Sequence, residues 1–168
     1  MTIPDETEPR WLNEQERRAW LALSSVLLRL DGALDAQLRE VELSHFEYGV
    51  LAALSEAPGR TLRMSVLAAF TEGSLSRLSQ VVGRLERRGY VRRTPDPADG
   101  RYTLAALTGT GYEKVLATAP GHVAEVRRLV FDQLTKAQIK QLTDISLRIL
   151  RAIDPENFGS GRACRPDA

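Results

Sequence analysis

The fold of this chain is decided by Thr71–Thr108, TEGSLSRLSQVVGRLERRGYVRRTPDPADGRYTLAALT. The first half of this stretch has apolar residues at the three- and four-residue spacing of an amphipathic helix. The second half has two short runs of strand-forming residues, Tyr90–Thr94 and Tyr102–Leu107, joined by a loop rich in Pro, Asp and Gly. The sequence therefore predicts a helix followed by a β-hairpin, with arginines in both.

The predicted helix of this stretch has two distinct faces. At ~100° per residue, one stripe is apolar and is predicted to be buried. Its members are Leu75, Leu78, Val81, Val82 and Leu85. The outward face is small, hydrogen-bonding and cationic. Its members are Ser76, Gln80, Gly83 and Arg87, flanked by Arg77, Ser79 and Arg84. The residues predicted to enter the groove are Ser76, Arg77, Ser79, Gln80 and Arg84. Such a face suits a DNA major groove, because small residues allow close approach while Gln and Arg reach base edges.

The alternative is an ordinary solvated helix face. A face of that kind usually mixes Glu with Lys or Arg for local pairing, and here only Glu86 is acidic. The composition of the helix therefore favours DNA contact.

The hairpin also carries arginines. Arg92, Arg93 and Arg101 are predicted to contact DNA phosphates or a minor groove, where the potential is most negative. Asp99 precedes Arg101 by two residues, a spacing that allows a salt bridge to orient the guanidinium. The sequence therefore predicts a second DNA-contacting element at this hairpin.

Two helices are predicted upstream of this stretch. Ser44 and Glu47 form a Ser-x-x-Glu capping box, and the helix that follows stops at Pro58. Thr61 is predicted to cap a short third helix that buries Phe70. The third and fourth helices, separated by a turn at Thr71–Gly73, form a helix-turn-helix pair. With the hairpin, this order is that of a winged helix-turn-helix.

Further helices flank this lobe. Apolar periodicity predicts a long helix from Trp11 to about Val41, a fifth helix from Thr108 to about Gln133, and a sixth that begins with a Thr135/Gln138 capping box. The predicted fold class is mainly α with a small β-hairpin wing (α+β). It is a winged helix-turn-helix with additional N- and C-terminal helices that form a dimerisation layer.

The expected organisation has four parts. They are a flexible arm (1–10), a helical dimerisation region (11–43 and 108–154), a DNA-binding lobe (44–107) and a disordered tail (155–168).

The charge distribution supports a local nucleic-acid surface. The net charge of the chain is only +1. Residues 60–101 nevertheless carry nine arginines and four acidic residues, a net charge of +5, whereas residues 1–59 carry five arginines and eleven acidic residues, a net charge of −6. One basic segment in a near-neutral chain indicates a localised footprint and not general adhesion to polyanions.

Several other classes of protein are not indicated. The acidic N-terminus lacks a signal-peptide pattern and no apolar run reaches the ~20 residues of a membrane span, so we expect a cytoplasmic protein without a membrane partner. His45 and His122 lie in no metal-binding motif, and no nucleotide-binding loop or nucleophile setting is evident, so we expect no metal, no cofactor and no enzymatic activity. Cys164 has no partner in the chain and is interpreted as an incidental exposed thiol.

Residues 15–153 resemble the MarR-type winged-helix transcriptional regulators. The most specific part of the resemblance is Leu85–Gly111, LERRGYVRRTPDPADGRYTLAALTGTG. The family usually has Asp-x-Arg at this point of the wing, which implies a minor-groove role for Arg101 and an orienting role for Asp99. Ser79–Gln80 stands where the family often has Ser or Thr followed by Arg, and Arg77 or Arg84 is expected to supply the cationic contact that Gln80 lacks.

The resemblance also implies an assembly and a mode of control. It implies a triangular homodimer that places two recognition helices in successive major grooves of double-stranded DNA. It further implies repression that is relieved when a small, frequently aromatic, effector binds. Other members of the family respond through cysteine oxidation, but Cys164 lies in the tail, so control by an effector is expected here. Residues expected to flank the effector pocket are Trp20, His45, Phe46 and Tyr48.

The sequence thus favours a homodimeric transcriptional regulator that binds a pseudo-palindromic operator. The alternative is a winged-helix dimeric protein-interaction module without operator binding. The arginine-rich face discriminates between them, because an interaction module has little reason to keep it.

Overall fold

The structure is a computed structural model that describes residues 9–71 and 74–155. Three predictions concern residues outside these ranges. They are most of the N-terminal arm, the centre of the turn after Thr71, and the tail with Cys164.

The first two helices are both closed at their N-termini by side chains. Helix α1 spans Glu14–Arg39 and helix α2 spans His45–Glu56. The predicted capping box of α2 is confirmed: the amide of Glu47 donates to Ser44 Oγ (3.1 Å) and the amide of Ser44 donates to Glu47 Oε2 (3.0 Å). The same reciprocal pattern, which the sequence reading overlooked, joins Asn13 and Glu16 before α1.

The segment after α2 differs from the prediction. Thr61 does not cap a helix but begins strand β1 (Thr61–Arg63), and helix α3 (Met64–Phe70) starts without a side-chain cap. The expected burial of Phe70 is also wrong, because this last residue of α3 is 46% exposed. The buried side of α3 is formed by Met64, Leu67 and Ala68.

Helix α4 (Leu75–Arg87) follows and ends at a glycine, as predicted. Gly89 has a φ of +75°, a left-handed conformation that only glycine adopts without cost. The amide of Tyr90 donates to the carbonyl of Leu85 (3.0 Å) and that of Gly89 to Glu86 (2.9 Å). These two bonds form a Schellman motif, which turns the chain directly into the next strand.

The sheet has three antiparallel strands in the order β1-β3-β2. Strands β2 (Val91–Pro95) and β3 (Thr103–Leu107) form the predicted hairpin, with Pro95 opposite Thr103. Strand β1, which was not predicted, pairs with the other edge of β3. The wing is thus anchored to the segment between α2 and α3.

Two helices follow the wing. Helix α5 spans Gly109–Leu129, and the hydroxyl of Thr108 accepts the Gly111 amide (3.0 Å), as the predicted cap requires. The helix ends earlier than predicted, and a 3₁₀ turn covers Phe131–Gln133. Helix α6 (Lys136–Ile153) begins with the predicted Thr135/Gln138 capping box.

The chain divides after Ala33 into two compact units. The buried apolar core belongs to the second unit and draws on the end of α1, on helices α2 to α5 and on strands β2 and β3. Its fully buried large side chains are Leu38, Leu43, Val50, Leu51, Leu54, Leu67, Leu78, Val82, Leu85 and Val91. A mainly helical chain with a helix-turn-helix and a three-stranded wing sheet is a winged helix-turn-helix, which confirms the predicted fold class.

Gly111 marks the closest approach in this unit. A Cβ added at Gly111 would lie 2.1 Å from the carbonyl oxygen of Tyr90 and 2.8 Å from Leu107 Cδ1. Helix α5 can pack against the end of the hairpin only because residue 111 has no side chain.

We therefore expect Gly111→Ala to lower the free energy of unfolding by about 3 kcal/mol, at the upper end of the cost of overpacking. Gly109→Ala is the matched control, because a Cβ at Gly109 meets nothing within 4 Å. Urea unfolding of both variants checks this prediction. Equal stability of the two variants would contradict the close approach.

Candidate DNA interface

The outward face of α4 is polar and exposed. The hydroxyl of Ser74 caps the helix by accepting the amide of Arg77 (3.2 Å). Ser76, Ser79 and Gln80 are exposed, whereas the opposite side of the helix lies in the core. The three side chains are thus available to a partner that approaches along this helix.

The predicted burial of Leu75 is wrong, because this residue is 55% exposed. The rotation of ~100° per residue predicts the direction in which a side chain points around the helix axis, but not whether the core extends to that turn of the helix. Leu75 is the first residue of α4, one turn before Leu78, which is fully buried. The buried core does not extend to this first turn of α4.

Arg77 and Arg84 lie on one flank of the exposed face and contact α2. The guanidinium of Arg77 lies 4.3 Å from the centre of the Phe46 ring. Arg84 Nε donates to Glu47 Oε1 (3.1 Å). Both side chains are therefore held by α2, a constraint that the sequence did not reveal.

The wing tip presents an oriented arginine. Arg101 donates through Nε and Nη2 to the carboxylate of Asp99, at 2.9 and 2.7 Å, and its side chain is 84% exposed. The hydrogen bonds from Arg101 lower the pKa of Asp99, so this carboxylate stays charged. The ion pair expected from the Asp-x-Arg spacing is present.

A second carboxylate fixes the loop of the wing. Asp96 is buried, accepts the amide of Ala98 (2.8 Å) and accepts Arg63 Nε of β1 (2.7 Å). The Ala98 amide, more than Arg63, lowers the pKa of Asp96. An Asp at the start of a turn is a known signal for such a bond, so this role was accessible from the sequence. The pairing of Asp96 with Arg63 could not be predicted, because strand β1 was not predicted.

The two arginines of β2 differ in whether an acidic side chain pairs with them. Arg93 makes a two-pronged pair with Glu86, with Nε at 2.9 Å and Nη2 at 2.7 Å. Arg92 is exposed, and the described part of the chain gives it no ion-pair partner. Arg92 thus has its full charge available, whereas Arg93 bridges the wing to α4.

A cleft of about 260 Å³ lies between α4 and the wing. Its walls combine hydroxyl, guanidinium and apolar groups. The lining residues are Met64, Ser65, Leu75, Ser79, Arg93, Arg101, Tyr102 and Thr103. The cleft separates the helix face from the wing tip and is lined by two of the predicted DNA-contacting arginines.

The residues expected around an effector pocket do not line this cleft. Trp20 is 56% exposed on α1. Phe46 lies under Arg77, and Tyr48 is buried. The ring of His45 lies 5.7 Å from the ring of His122 on α5.

His122 joins Tyr48 and His45 in one aromatic cluster. The Tyr48 and His122 ring centres are 4.6 Å apart, and His122 Nδ1 is buried without a hydrogen-bond partner in the described structure. Burial, and secondly the charge of His45, lower the pKa of His122. In the sequence His122 is an isolated histidine, because no local motif links it to α2.

The depressed pKa predicts acid sensitivity. Because the folded pKa of His122 lies below the unfolded value of 6.5, the neutral ring favours the fold above that pH, and this contribution is lost as the pH falls through the folded pKa. We expect the free energy of unfolding to fall more steeply below pH 6.5 in the wild type than in His122→Phe. Denaturant titrations from pH 8 to pH 5 measure both curves, and parallel curves would contradict the prediction.

The described ranges lack two kinds of feature. No helix within residues 9–71 and 74–155 is long and apolar enough to cross a membrane. The same residues contain no group of three or more His, Cys, Asp or Glu side chains that could hold a metal ion.

Comparisons with known proteins identify relatives of this winged helix-turn-helix. The MarR family profile matches residues 42–101. The chain is similar to Sco3205 of Streptomyces coelicolor, a MarR family transcriptional regulator solved in complex with DNA. The two are 42% identical over 90% of this chain and 96% of that chain, with a TM-score of 0.85.

Two further solved structures are similar. AbsC, a MarR family transcriptional regulator of Streptomyces coelicolor, is 35% identical over 88% of this chain and 100% of its own, with a TM-score of 0.84. A MarR family regulator of Rhodococcus sp. RHA1 is 26% identical over 85% and 96% of the two chains, with a TM-score of 0.69. No curated protein matches the chain.

The chain belongs to the MarR family and is a transcriptional regulator. Family membership confirms the resemblance drawn from Leu85–Gly111, and it favours a regulator over the interaction module.

Proposed function

We propose that the chain is a homodimer that binds a pseudo-palindromic DNA operator and represses transcription in the cytoplasm. The observation that carries the proposal is the pairing of an exposed polar helix face with an ion-paired, exposed Arg101 at the wing. The relative Sco3205 was solved in complex with DNA, which supports the same partner here.

In this proposal α4 enters the major groove. Ser76, Ser79 and Gln80 approach base edges, and Arg77 and Arg84 reach bases or phosphates along the flank. The wing enters the adjacent minor groove with Arg101, whose direction is set by Asp99. Arg92 and Arg93 contact the phosphate backbone.

The dimer is supported by apolar side chains that the single chain leaves exposed. Helix α6 has no buried residue, although Leu142, Ile145, Ile149 and Ile153 recur along one side of it. Helix α1 also exposes large apolar side chains, among them Leu27 and Leu28. A soluble monomer rarely leaves this much apolar surface in contact with water. We therefore assign residues 11–43 and 108–154 to the dimerisation region and residues 44–107 to the DNA-binding lobe.

Release by a small aromatic effector is the proposed mode of control. The cluster of His45, Tyr48 and His122 supports it, because His122 Nδ1 is a buried polar atom without a partner in the described structure. An aromatic ring with one hydrogen-bonding group would complement that cluster.

Selection of genomic fragments by the purified protein tests the proposal. Wild-type protein should enrich fragments that share an inverted repeat, and the same sites should be depleted when the selection uses a variant with alanine at Ser79, Gln80 and Arg101. Enrichment that is equal for the two proteins, or that shows no shared sequence, would contradict operator binding.

A further inference from the structure

Two arginines on one flank of α4, and the arginine that directly follows the helix, are held by the six-residue segment Glu42–Glu47. We call Arg77, Arg84 and Arg88 the arginine row, because their spacing of seven and four residues places them within about 40° of one another around the helix. The carbonyl of Glu42 accepts Arg88 Nη1 (2.7 Å). Phe46 and Glu47 hold the other two members, as described above.

Glu47 is the centre of this arrangement. It is only 7% exposed, and a buried carboxylate is costly unless it is paired. Its Oε2 accepts the amide of Ser44 (3.0 Å) and lies 4.0 Å from Arg88 Nη1. Its Oε1 accepts Arg84 Nε (3.1 Å). One carboxylate thus closes the N-terminus of α2, holds Arg84 of α4 by a hydrogen bond and lies at ion-pair distance from Arg88, the residue after the helix.

Glu47 contacts only one of the three nitrogens of the Arg84 guanidinium. The carboxylate accepts a hydrogen bond from Nε–H, and within the described residues the two terminal nitrogens of Arg84 make no hydrogen bond. The Arg84 side chain is 48% exposed. The two terminal nitrogens of Arg84 therefore remain available to bind guanine or phosphate bidentately. The hydrogen bond to Glu47 already sets the orientation of this guanidinium.

We propose that Glu47 is a positioning residue for DNA recognition, which acts by holding the Arg84 guanidinium in the orientation that it uses on the operator. A flexible arginine loses rotamer freedom when it binds, and prior fixation reduces that loss. The inference rests on the proposed function, since it assigns a role within the same DNA interface. It goes further by giving a buried residue of α2 control over a contact made by α4.

A capping role alone would explain the burial of Glu47, so the test must separate the two roles. Glutamine at this position also closes a capping box, so Glu47→Gln keeps the cap and removes the charge that holds Arg84. Ser44→Ala does the reverse, because it removes one bond of the cap and leaves the carboxylate in place. Arg84→Lys keeps the positive charge but has no Nε–H to donate to Glu47, and the Arg84 side chain is half-exposed.

The experiment measures the affinity of the full chain for its selected operator and for an unrelated duplex over a range of salt concentrations. Glu47→Gln should weaken operator binding by about tenfold, within the range that one bidentate arginine contact supplies. It should leave binding to the unrelated duplex unchanged or tighter, because a negative charge near the DNA is removed. Ser44→Ala should bind the operator within about twofold of wild type, at a temperature at which all variants are folded.

Coupling between the two residues gives the decisive result. Arg84→Lys should bind the operator as weakly as Glu47→Gln, and adding Glu47→Gln to it should cause no further loss. Wild-type affinity in both single variants, or additive losses in the double variant, would overturn the inference while operator binding by the wild type stands. If the wild type selects no operator, the proposed function and the inference are both overturned.

Discussion

Replacing Arg101 by alanine should weaken operator binding by about tenfold or more and reduce the slope of log K against log salt by about two units, about one for each subunit of the dimer. The guanidinium of Arg101 is the most exposed cation of the wing with a fixed orientation, since Asp99 binds two of its nitrogens. Removal of the side chain removes one phosphate or minor-groove contact from each half-site. Fluorescence anisotropy between 50 mM and 200 mM salt measures both quantities.

Two further variants control this result. Arg127→Ala also removes an exposed, ion-paired arginine, but Arg127 lies on α5 and pairs with Asp132 (3.0 Å) away from the wing, so affinity and slope should not change. Asp99→Ala keeps the charge of Arg101 and releases its guanidinium, so affinity should fall while the slope is kept. An Arg101→Ala variant with wild-type affinity and slope would show that the wing does not contact DNA.

The second large effect is expected at α6. Ile145→Glu should convert the protein from dimer to monomer and weaken operator binding by about 100-fold or more, because two linked half-site contacts gain at least that factor from their effective concentration. Ile145 is 55% exposed in the single chain and lies in the apolar row of α6. A charge that must be buried there opposes association. Sedimentation velocity measures the change in mass.

Thr143→Glu is the matched control for this variant. It adds the same charge to the same helix, two residues away and about 160° around the axis, at an exposed position. This variant should remain a dimer. Monomeric behaviour of both variants would point to general charge repulsion, and dimeric behaviour of both would place the subunit contact elsewhere.

Local signals made most of the fold predictable. The Ser44/Glu47 and Thr135/Gln138 capping boxes and the glycine after α4 each use interactions within a few residues, so the sequence was sufficient to locate these helix ends. The Asp99–Arg101 pair is local in the same sense, with a separation of two residues. The wing arginine could therefore be predicted with its partner.

Contacts between distant segments were not predictable in this way. Strand β1 has three residues and is a strand only because β3, more than forty residues later, pairs with it. Its start, Thr61, is a good helix cap by type, which explains the wrong prediction. The hydrogen bond between Arg84 and Glu47 joins residues 37 positions apart, so the sequence indicated the outward side of α4 for Arg84 but not the α2 carboxylate that holds it.

The most direct test of the central claim is a hydroxyl-radical footprint of the wild-type protein on its selected operator. If two copies place α4 in successive major grooves, two protected tracts related by a two-fold axis should appear with centres about one helical turn, roughly 10–10.5 base pairs, apart on one face of the duplex. A single tract, or protection without two-fold symmetry, would contradict the account.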